Sequence, residues 1–453
     1  MGKMMGRTCR SNYASLLYAL HPKGDNVDRR TPWSLFFYDT SLIMFTPSPK
    51  SQGQDKGKVR KKWRPFRATD FESLLYPCFI FCTVFGLFPY KNNGSTLELS
   101  KVGYIVSSII VAAAGIWGLM VLFEVNIAGN IKFSGVPGAL QCNCYYILGG
   151  VIAVITYIMT KKRILLLQSM LEVSSKLPPE LYRKMSKMVH AKDIIGFLFV
   201  LIQLYNCIDS KTYGDFFLKT MSFYLTMLVF QMDMLYMDCV YVLKACFTQL
   251  NDNLLSLREL VVSDEPHLLR RIYHEQRNPY LLMELKALKK RHLMVSDTVH
   301  LLNTVFSMQI LTTIVMTFAE ITFGLYFYIV TWQGQKEVVD LDKQIWFKYY
   351  ITSVTYYSLK IVLIVWACDT GRDQAMQIGT TVHDVLISTS DKQIKDELQL
   401  FSLQILHREN SFTAKGLTVD ATLLTAIVGS ITTYLLILIQ FLVTSQTCQG
   451  KIQ

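Results

Sequence analysis

Long runs of apolar residues, separated by polar and charged connections, fill the chain from residue 71 to residue 444. A helix needs about 20 mostly apolar residues to cross the hydrocarbon core of a bilayer, and several of these runs reach that length. The eight runs lie at 71–90, 102–125, 143–160, 194–208, 217–245, 299–330, 345–368 and 421–444. The pattern predicts an all-α membrane protein.

The first run differs from the others, because it carries Glu72 and is interrupted by Pro77. The basic segments 1–70 and 161–192 are both expected on the cytoplasmic side of the membrane. Three apolar runs separate them, and three crossings would place them on opposite sides. We therefore predict that 71–101 is an interfacial or re-entrant segment. The other seven runs then span the membrane, with the N-terminus cytoplasmic and the C-terminus external.

The basic residues are unevenly distributed over the connections. Lys and Arg number fourteen in 1–70, eight in 161–192 and eight in 246–297, against one in 126–142 and two in 331–344. Cytoplasmic loops carry such an excess. The net charge of +12 therefore indicates membrane topology, and we predict a lipid bilayer rather than nucleic acid as the partner of this chain.

The topology divides the chain into five regions. They are a basic cytoplasmic region 1–70, the interfacial segment 71–101, a six-helix ligand-binding region 102–368, a cytoplasmic anchor helix and linker 369–420, and a last span with a short external tail, 421–453. The anchor helix is the amphipathic segment Asp391–His407, which is too charged to span. The glycosylation sequon at Asn93 is expected to face the cytoplasm and to stay unmodified.

Polar side chains within the predicted spans are candidates for function, because hydrocarbon burial of such groups is costly without partners. Glu320 and Lys360 lie at depths that would let them pair across adjacent antiparallel helices. One interpretation is a structural ion pair, and the other is a ligand pocket lined by aromatic residues with hydroxyl groups. The candidates for the pocket are Gln231, Asp233, Glu320, Tyr326, Tyr356, Tyr357 and Lys360.

Signatures of enzymes are absent from the sequence, which has no Gly-rich phosphate loop, HExxH motif or GxSxG motif. The ten cysteines show no metal-type spacing. We therefore predict no catalysis, no cofactor and no metal.

The last run, 421–444, interleaves serine and threonine with apolar residues and carries Gln440 near its outer end. A lipid-facing helix has little use for an amide. Four copies around a symmetry axis would present a ring of Gln440 amides next to a ring of Phe441 side chains. Ile437 shares their helical face, since the three positions are spaced three and four apart. This favours a pore that closes at a hydrophobic constriction.

Thr433-Tyr434, five hydrophobic residues and Gln440-Phe441 match the TYhhhhhQF motif of insect gustatory receptors, and the chain resembles that family throughout its seven spans. The resemblance implies a homotetrameric or heterotetrameric ligand-gated cation channel for a small-molecule tastant, in the plasma membrane of sensory neurons. It places the gate at Ile437, Gln440 and Phe441, with Thr433 and Tyr434 packing the pore helix against its neighbours. A ligand pocket is implied among the second to sixth spans.

Leu435 stands where the sugar-receptor branch tends to have an acidic residue, which favours the bitter-type, fructose-like or orphan branches. The alternative class with seven helices is the G-protein-coupled receptor. It needs an external N-terminus, which the basic residues of 1–70 oppose. No DRY-type triplet ends the third crossing, and the last crossing has no NPxxY motif. A transporter would show inverted repeats, and none is visible.

Overall fold

The structure, a computed structural model, describes residues 65–87, 90–92, 97–128, 135–209, 216–262, 270–333, 341–389 and 391–449. The helices of this part are α1 (Phe71–Val84), α2 (Lys101–Phe123), α3 (Gly135–Ile158), α4 (Thr160–Ser174), α5 (Pro179–Asp209), α6 (Phe216–Val262), α7 (Arg270–Gln333), α8 (Leu341–Ser388), α9 (Lys392–His407) and α10 (Ala421–Gln449). A π-helical turn, Glu124–Ala128, continues α2. Two antiparallel hairpins pair β1 (Tyr90–Asn92) with β2 (Leu97–Leu99) and β3 (Thr413–Ala414) with β4 (Leu417–Thr418). The Asn93 sequon lies outside the described residues.

Seven of these helices are long and apolar enough to cross a membrane, namely α2, α3, α5, α6, α7, α8 and α10. The prediction of an all-α protein with seven spanning helices is therefore confirmed. The first apolar run forms α1, which has 14 residues. This is shorter than the roughly 20 residues that a crossing requires.

The ends of several helices follow from local sequence. Asp70 begins α1 with a capping box, in which its side chain accepts a hydrogen bond from the Ser73 backbone and Ser73 bonds back to Asp70. Asp391 caps α9 in a similar way, because its carboxylate accepts from the backbone of Gln393 and Ile394. Pro137 lies in the first turn of α3, where its missing N–H costs no helical hydrogen bond.

α6 is the central helix of the bundle, and nearly every residue of its apolar stretch is buried. α7 and α8 pack against it along most of its length, and α3, α4 and α5 complete the surround. These three central helices have 47, 64 and 48 residues. At 1.5 Å per residue they are about 70, 96 and 72 Å long, so each extends well beyond a hydrocarbon core of about 30 Å.

α1 packs on the bundle instead of standing apart from it. Its buried side includes Leu74, Leu75 and Cys78. His190 of α5 fastens its beginning, because Nδ1 accepts from the Phe66 backbone at 3.0 Å and Nε2 lies 3.1 Å from the Leu74 carbonyl oxygen. Nδ1 acts as an acceptor, so Nε2 carries the proton of the neutral ring.

The β3–β4 hairpin ties the end of α9 and the start of α10 to the central helices. Asn303 of α7 bonds the backbone on both sides of Phe412, donating to the Ser411 carbonyl at 2.7 Å and accepting from the Thr413 N–H at 3.1 Å. The turn uses positive φ at Lys415 and Gly416. Phe412 itself is buried.

Candidate functional site

A cavity of about 120 Å³ lies among α3, α5, α6, α7 and α8. It is near the end of the bundle where α3, α6 and α8 begin, which is the external end on the predicted topology. These helices are the second to sixth spans, among which the resemblance implies a pocket. Aromatic and polar side chains dominate the lining, among them Tyr145, Tyr146, Tyr349, Tyr350, Tyr357 and Glu320.

Glu320 supplies a carboxyl group to this cavity from the last quarter of α7, although its side chain is nearly inaccessible to solvent. The Gln141 side chain of α3 donates a hydrogen bond to its Oε2 atom at 3.0 Å. Gln141 belongs to the first turns of α3, which the apolar run predicted at 143–160 does not include. The partner of Glu320 therefore lies on a stretch of helix that hydropathy alone leaves out.

The hypothesis that Glu320 pairs with Lys360 is wrong. Lys360 Nζ lies 3.1 Å from Oδ2 of Asp233 on α6, and Thr313 of α7 donates to the other oxygen of Asp233 at 3.0 Å. The ammonium also lies over the Tyr357 and Tyr356 rings, 4.9 and 5.7 Å from their centroids. Asp233 faces both α7 and α8 from the central helix, whereas Glu320 faces α3.

Only two of the seven predicted pocket residues line the cavity. Tyr357 lines the cavity with Glu320, and the other five lie outside its lining. Tyr326 packs on Phe327 in an aromatic cluster that meets α10. Gln231 donates to Sγ of Cys78 at 2.8 Å and so joins α6 to α1.

A second buried ion pair was not anticipated from the sequence. Lys192 of α5 lies 3.1 Å from Asp238 of α6 and also contacts Asp193. Lys192 belongs to the basic segment 161–192, which is predicted to be cytoplasmic, yet its side chain is buried. Arg163, from the same basic segment, is also buried and donates to the Thr156 carbonyl at 3.1 Å. Charge counting alone cannot separate such residues from solvent-exposed ones.

Tyr145 and Tyr146 were also missed, although both line the cavity. The Tyr145 hydroxyl donates to the Ser222 carbonyl at 2.8 Å and lies 2.6 Å from the Thr226 hydroxyl. The Tyr146 hydroxyl lies 2.6 Å from the Ser222 hydroxyl. A signal existed, because doubled tyrosines occur within predicted spans at 145–146, 349–350 and 356–357. Both members of the first two pairs line the cavity, and Tyr357 does so from the third.

α10 has one packed side and one exposed side. Leu423, Ile427 and Ile431 are buried against the bundle, and Leu435, Leu438 and Leu442 join the aromatic cluster of α7. Much of the remaining surface is exposed, and seven of the exposed residues share one face of the helix. They are Ser430, Thr433, Tyr434, Ile437, Gln440, Phe441 and Thr444, which we call the α10 stripe.

The predicted gate and packing residues all belong to this stripe. Phe441 is 70% exposed, and Ile437 and Gln440 are exposed as well. Tyr434 contacts Phe318 of α7 with a centroid distance of 5.7 Å, although its side chain is 54% exposed. Thr433 is exposed and its hydroxyl donates to the Gly429 carbonyl of its own helix. Within this subunit, Tyr434 thus touches a neighbouring helix. The packing role of Thr433 stays a prediction.

An ionic cluster joins α8 to the beginning of α10. Arg372 lies 3.2 Å from Asp420 and 3.0 Å from Asp369. Asp420 also accepts hydrogen bonds from the hydroxyl and the backbone of Thr422. The hydroxyl bond lowers the pKa of the Asp420 carboxyl, which therefore stays ionised near neutral pH.

Comparison with known proteins relates most of the chain to one family of receptors. The sequence profile of the family described as 7tm Chemosensory receptor matches residues 75–444. Two relatives from Drosophila melanogaster carry the names gustatory receptor 28b and gustatory receptor 28a. They are 34% and 32% identical to the chain over 138 and 137 residues, which is 30% of this chain in both cases. The matches span 29% and 30% of the relatives' own lengths.

The fold resembles two solved structures of the insect olfactory receptor OR5 from Machilis hrabei, one of them in complex with eugenol. The TM-scores are 0.61 and 0.60 at 12% sequence identity. Both alignments cover 81% of this chain and 97% of the receptor. At this identity the likeness establishes the fold and nothing finer.

Proposed function

The chain belongs to the 7tm chemosensory receptor family, and from this premise we propose that it is a ligand-gated, non-selective cation channel acting as a gustatory receptor. Four identical or related subunits surround one pore in the plasma membrane of sensory neurons. The ligand is a small-molecule tastant, and Leu435 favours a bitter-type, fructose-like or orphan specificity over that of a general sugar receptor.

The chemistry of the α10 stripe carries this proposal. α2 and α10 both leave most of their surface exposed in the subunit. On α2 the large exposed side chains are apolar, as a lipid-facing helix requires, and include Ile105, Ile109 and Leu119. The α10 stripe instead exposes an amide at Gln440, whose transfer into hydrocarbon would be unfavourable. An aqueous pore at the centre of an assembly satisfies this residue and lipid does not.

The stripe also contains the parts of a gate. Phe441 and Ile437 lie one turn apart, and rings of large apolar side chains close a narrow aqueous path because water leaves a hydrophobic neck. Gln440 lies between them along the chain and turns toward the axis when the helices move outward or rotate. Its amide then hydrates a passing cation. Thr433 and Ser430 continue the same face toward the cytoplasm.

The cavity among α3, α5, α6, α7 and α8 is the proposed ligand pocket. It has the mixture of aromatic and convergent polar side chains that small-molecule sites show. The same fold holds eugenol in the Machilis olfactory receptor, which supports a small organic ligand here. Its lining includes Tyr350, which stacks on Phe327 with a centroid distance of 5.5 Å. Phe327 belongs to the cluster that contacts α10, so a path of packed rings joins pocket and pore helix.

Phe441→Ala tests the channel directly. Removing this ring widens the constriction, so cells expressing the variant should carry cation current without ligand, whereas wild-type cells should stay silent until a tastant is applied. The measurement is whole-cell recording, with a panel of sugars, bitter compounds and nucleosides for the wild type. Leu436→Ala is the control, because Leu436 is also exposed on α10 but lies off the stripe.

The reaction of introduced cysteines with a thiol reagent is a second test, and it can contradict the proposal that the stripe lines a pore. The thiol of a Gln440→Cys variant should react with an externally applied thiol reagent, and the reaction should alter the conductance. If the Gln440→Cys and Phe441→Cys variants both remain unmodified, and Phe441→Ala conducts no more than Leu436→Ala at equal surface expression, neither residue lies in a pore.

A further inference from the structure

Two of the five tyrosines that line the cavity, Tyr145 and Tyr146, have their hydroxyl groups engaged by α6. The hydroxyls of Tyr145 and Tyr146 are engaged by Ser222 and Thr226 of α6, so they hold α3 against α6. Their rings stand nearly perpendicular, at 88° with centroids 5.4 Å apart. Tyr349 and Tyr350 form a similar pair at 72° and 5.5 Å. Aromatic faces carry negative electrostatic potential and attract cations.

Glu320 brings a carboxyl group to the same cavity, and an ammonium ligand favours the ionised form of this group. In the described part of the chain, its hydrogen-bond donor is the neutral Gln141 amide, and no Lys, Arg or His nitrogen lies within 4.0 Å of it. Lys360, the predicted partner of Glu320, instead forms an ion pair with Asp233. A carboxylate accepts up to about four hydrogen bonds, so Glu320 retains acceptor capacity toward the cavity.

The second charged lining residue is Lys219, near the beginning of α6. It has a partner within the chain and is therefore not a free cation for Glu320. Gln203 and Ser353 complete the polar lining from α5 and α8. The cavity thus combines a carboxyl group that has one hydrogen-bond donor among the described residues with aromatic walls, in which the Tyr145 and Tyr146 hydroxyls are engaged by α6.

We propose that this cavity selects organic ammonium ligands, with the ammonium bound by Glu320 and the organic part enclosed by the tyrosine rings. The inference rests on the proposed function, since it names the ligand class of the same pocket. A primary amine donates N–H groups to the free acceptor positions of Glu320 and is also attracted by the rings. An uncharged alcohol of the same shape gains neither the charge-assisted bond nor the full attraction to the rings.

The test measures binding by the purified full-length protein in detergent, with no requirement for current. The probes are 2-phenylethylamine and its uncharged analogue 2-phenylethanol, and the readout is the ligand-induced rise in melting temperature as a function of concentration. Wild-type protein should bind the amine more tightly. Glu320→Gln should weaken amine binding about tenfold to hundredfold, the worth of one charge-assisted hydrogen bond, and should leave the alcohol within about twofold. Glu259→Gln, an exposed carboxylate on α6, is the matched control.

Two variants of Tyr357 test the inference independently, in case the Glu320→Gln variant does not fold. Tyr357→Phe keeps the ring and should keep the preference for the amine, whereas Tyr357→Leu should reduce it several-fold through loss of the cation–π contact. An equal affinity of wild-type protein for amine and alcohol overturns the inference. So does an amine preference that survives both Glu320→Gln and Tyr357→Leu.

The two proposals fail in different ways. If the amine binds as expected but no variant or ligand produces current, the inference stands and the channel proposal falls. If Phe441→Ala conducts and neutral tastants open the wild-type channel while the amine does not bind, the channel proposal stands and the ammonium inference falls.

Discussion

At the scale of single residues, the central helix carries two carboxylates in its interior, and each has a lysine from a neighbouring helix. Asp233 bonds Lys360 of α8, and Asp238 bonds Lys192 of α5. Burying a charge inside a helix bundle is unfavourable, and an ion pair offsets this only when both partners are present. The two pairs therefore fix which faces of α5 and α8 meet α6.

The Asp233–Lys360 pair makes a prediction that a double-mutant cycle can check. Lys360→Met or Asp233→Asn alone strands the other group and should destabilise the protein by about 3–5 kcal/mol, with lower surface expression. The double variant should recover much of both, because no unpaired charge remains. The measurements are thermal unfolding in detergent and surface labelling.

Asp252→Asn serves as the control for that cycle, since Asp252 is exposed in the cytoplasmic half of α6 on the predicted topology. Additive losses in the double variant would show that the two groups do not interact.

The sequence predicts which charged residues lie within the spans, but it does not predict which residues they pair with. Hydropathy identifies Asp233, Glu320 and Lys360 as polar residues within spans, and the helical rise gives their depth. Which helix each one faces depends on the rotation of the helices, and periodicity within a nearly all-apolar span leaves that rotation open. The pairing of Lys360 with Asp233 instead of Glu320 is a difference of rotation, at similar depth.

At the scale of elements, the sequence predicts the positions of the seven spans well and their ends less well. The last span was predicted at 421–444 and α10 begins at Ala421. α3 begins at Gly135, eight residues before the predicted run, because Gly138 and Gln141 lower the hydropathy of its first turns. Those turns carry the partner of Glu320. Polar residues that line a site therefore lower the hydropathy of their helix, and hydropathy then underestimates the length of that helix.

α7 and α8 approach each other closely at Gly324. A Cβ atom at this position would lie 2.8 Å from Cγ2 of Val354, so a side chain there forces the helices apart. Gly324→Ala should destabilise the protein by about 1–3 kcal/mol, as overpacking does, and lower the melting temperature in detergent.

Gly115→Ala on α2 is the matched control for this substitution, because nothing lies within 4 Å of the added atom. It should be neutral or slightly stabilising, since alanine favours the helix. Equal melting temperatures for the two variants would contradict the close contact.

At the scale of the whole molecule, the distribution of basic residues predicts that the N-terminus is cytoplasmic, the C-terminus is external and Asn93 carries no glycan. In intact cells, a tag at the N-terminus should resist added protease, whereas a tag at the C-terminus should be cleaved or labelled. Detergent permeabilisation is the control and should expose both tags. A glycan on Asn93 would place this residue on the external side of the membrane and would contradict the predicted topology.

The lengths of the three central helices have a mechanical consequence. α6, α7 and α8 each run without interruption from the cavity region to the far end of the bundle, and α7 alone is about 96 Å long. A continuous helix behaves as a stiff lever, so a tilt imposed at one end reappears at the other with an amplitude that grows with distance. Two contacts attach the segment before α10 to these helices. Asn303 of α7 bonds the backbone next to the β3–β4 hairpin, and Arg372 of α8 pairs with Asp420. A ligand that separates the ends of these helices at the cavity would therefore also displace the start of α10, the proposed pore helix.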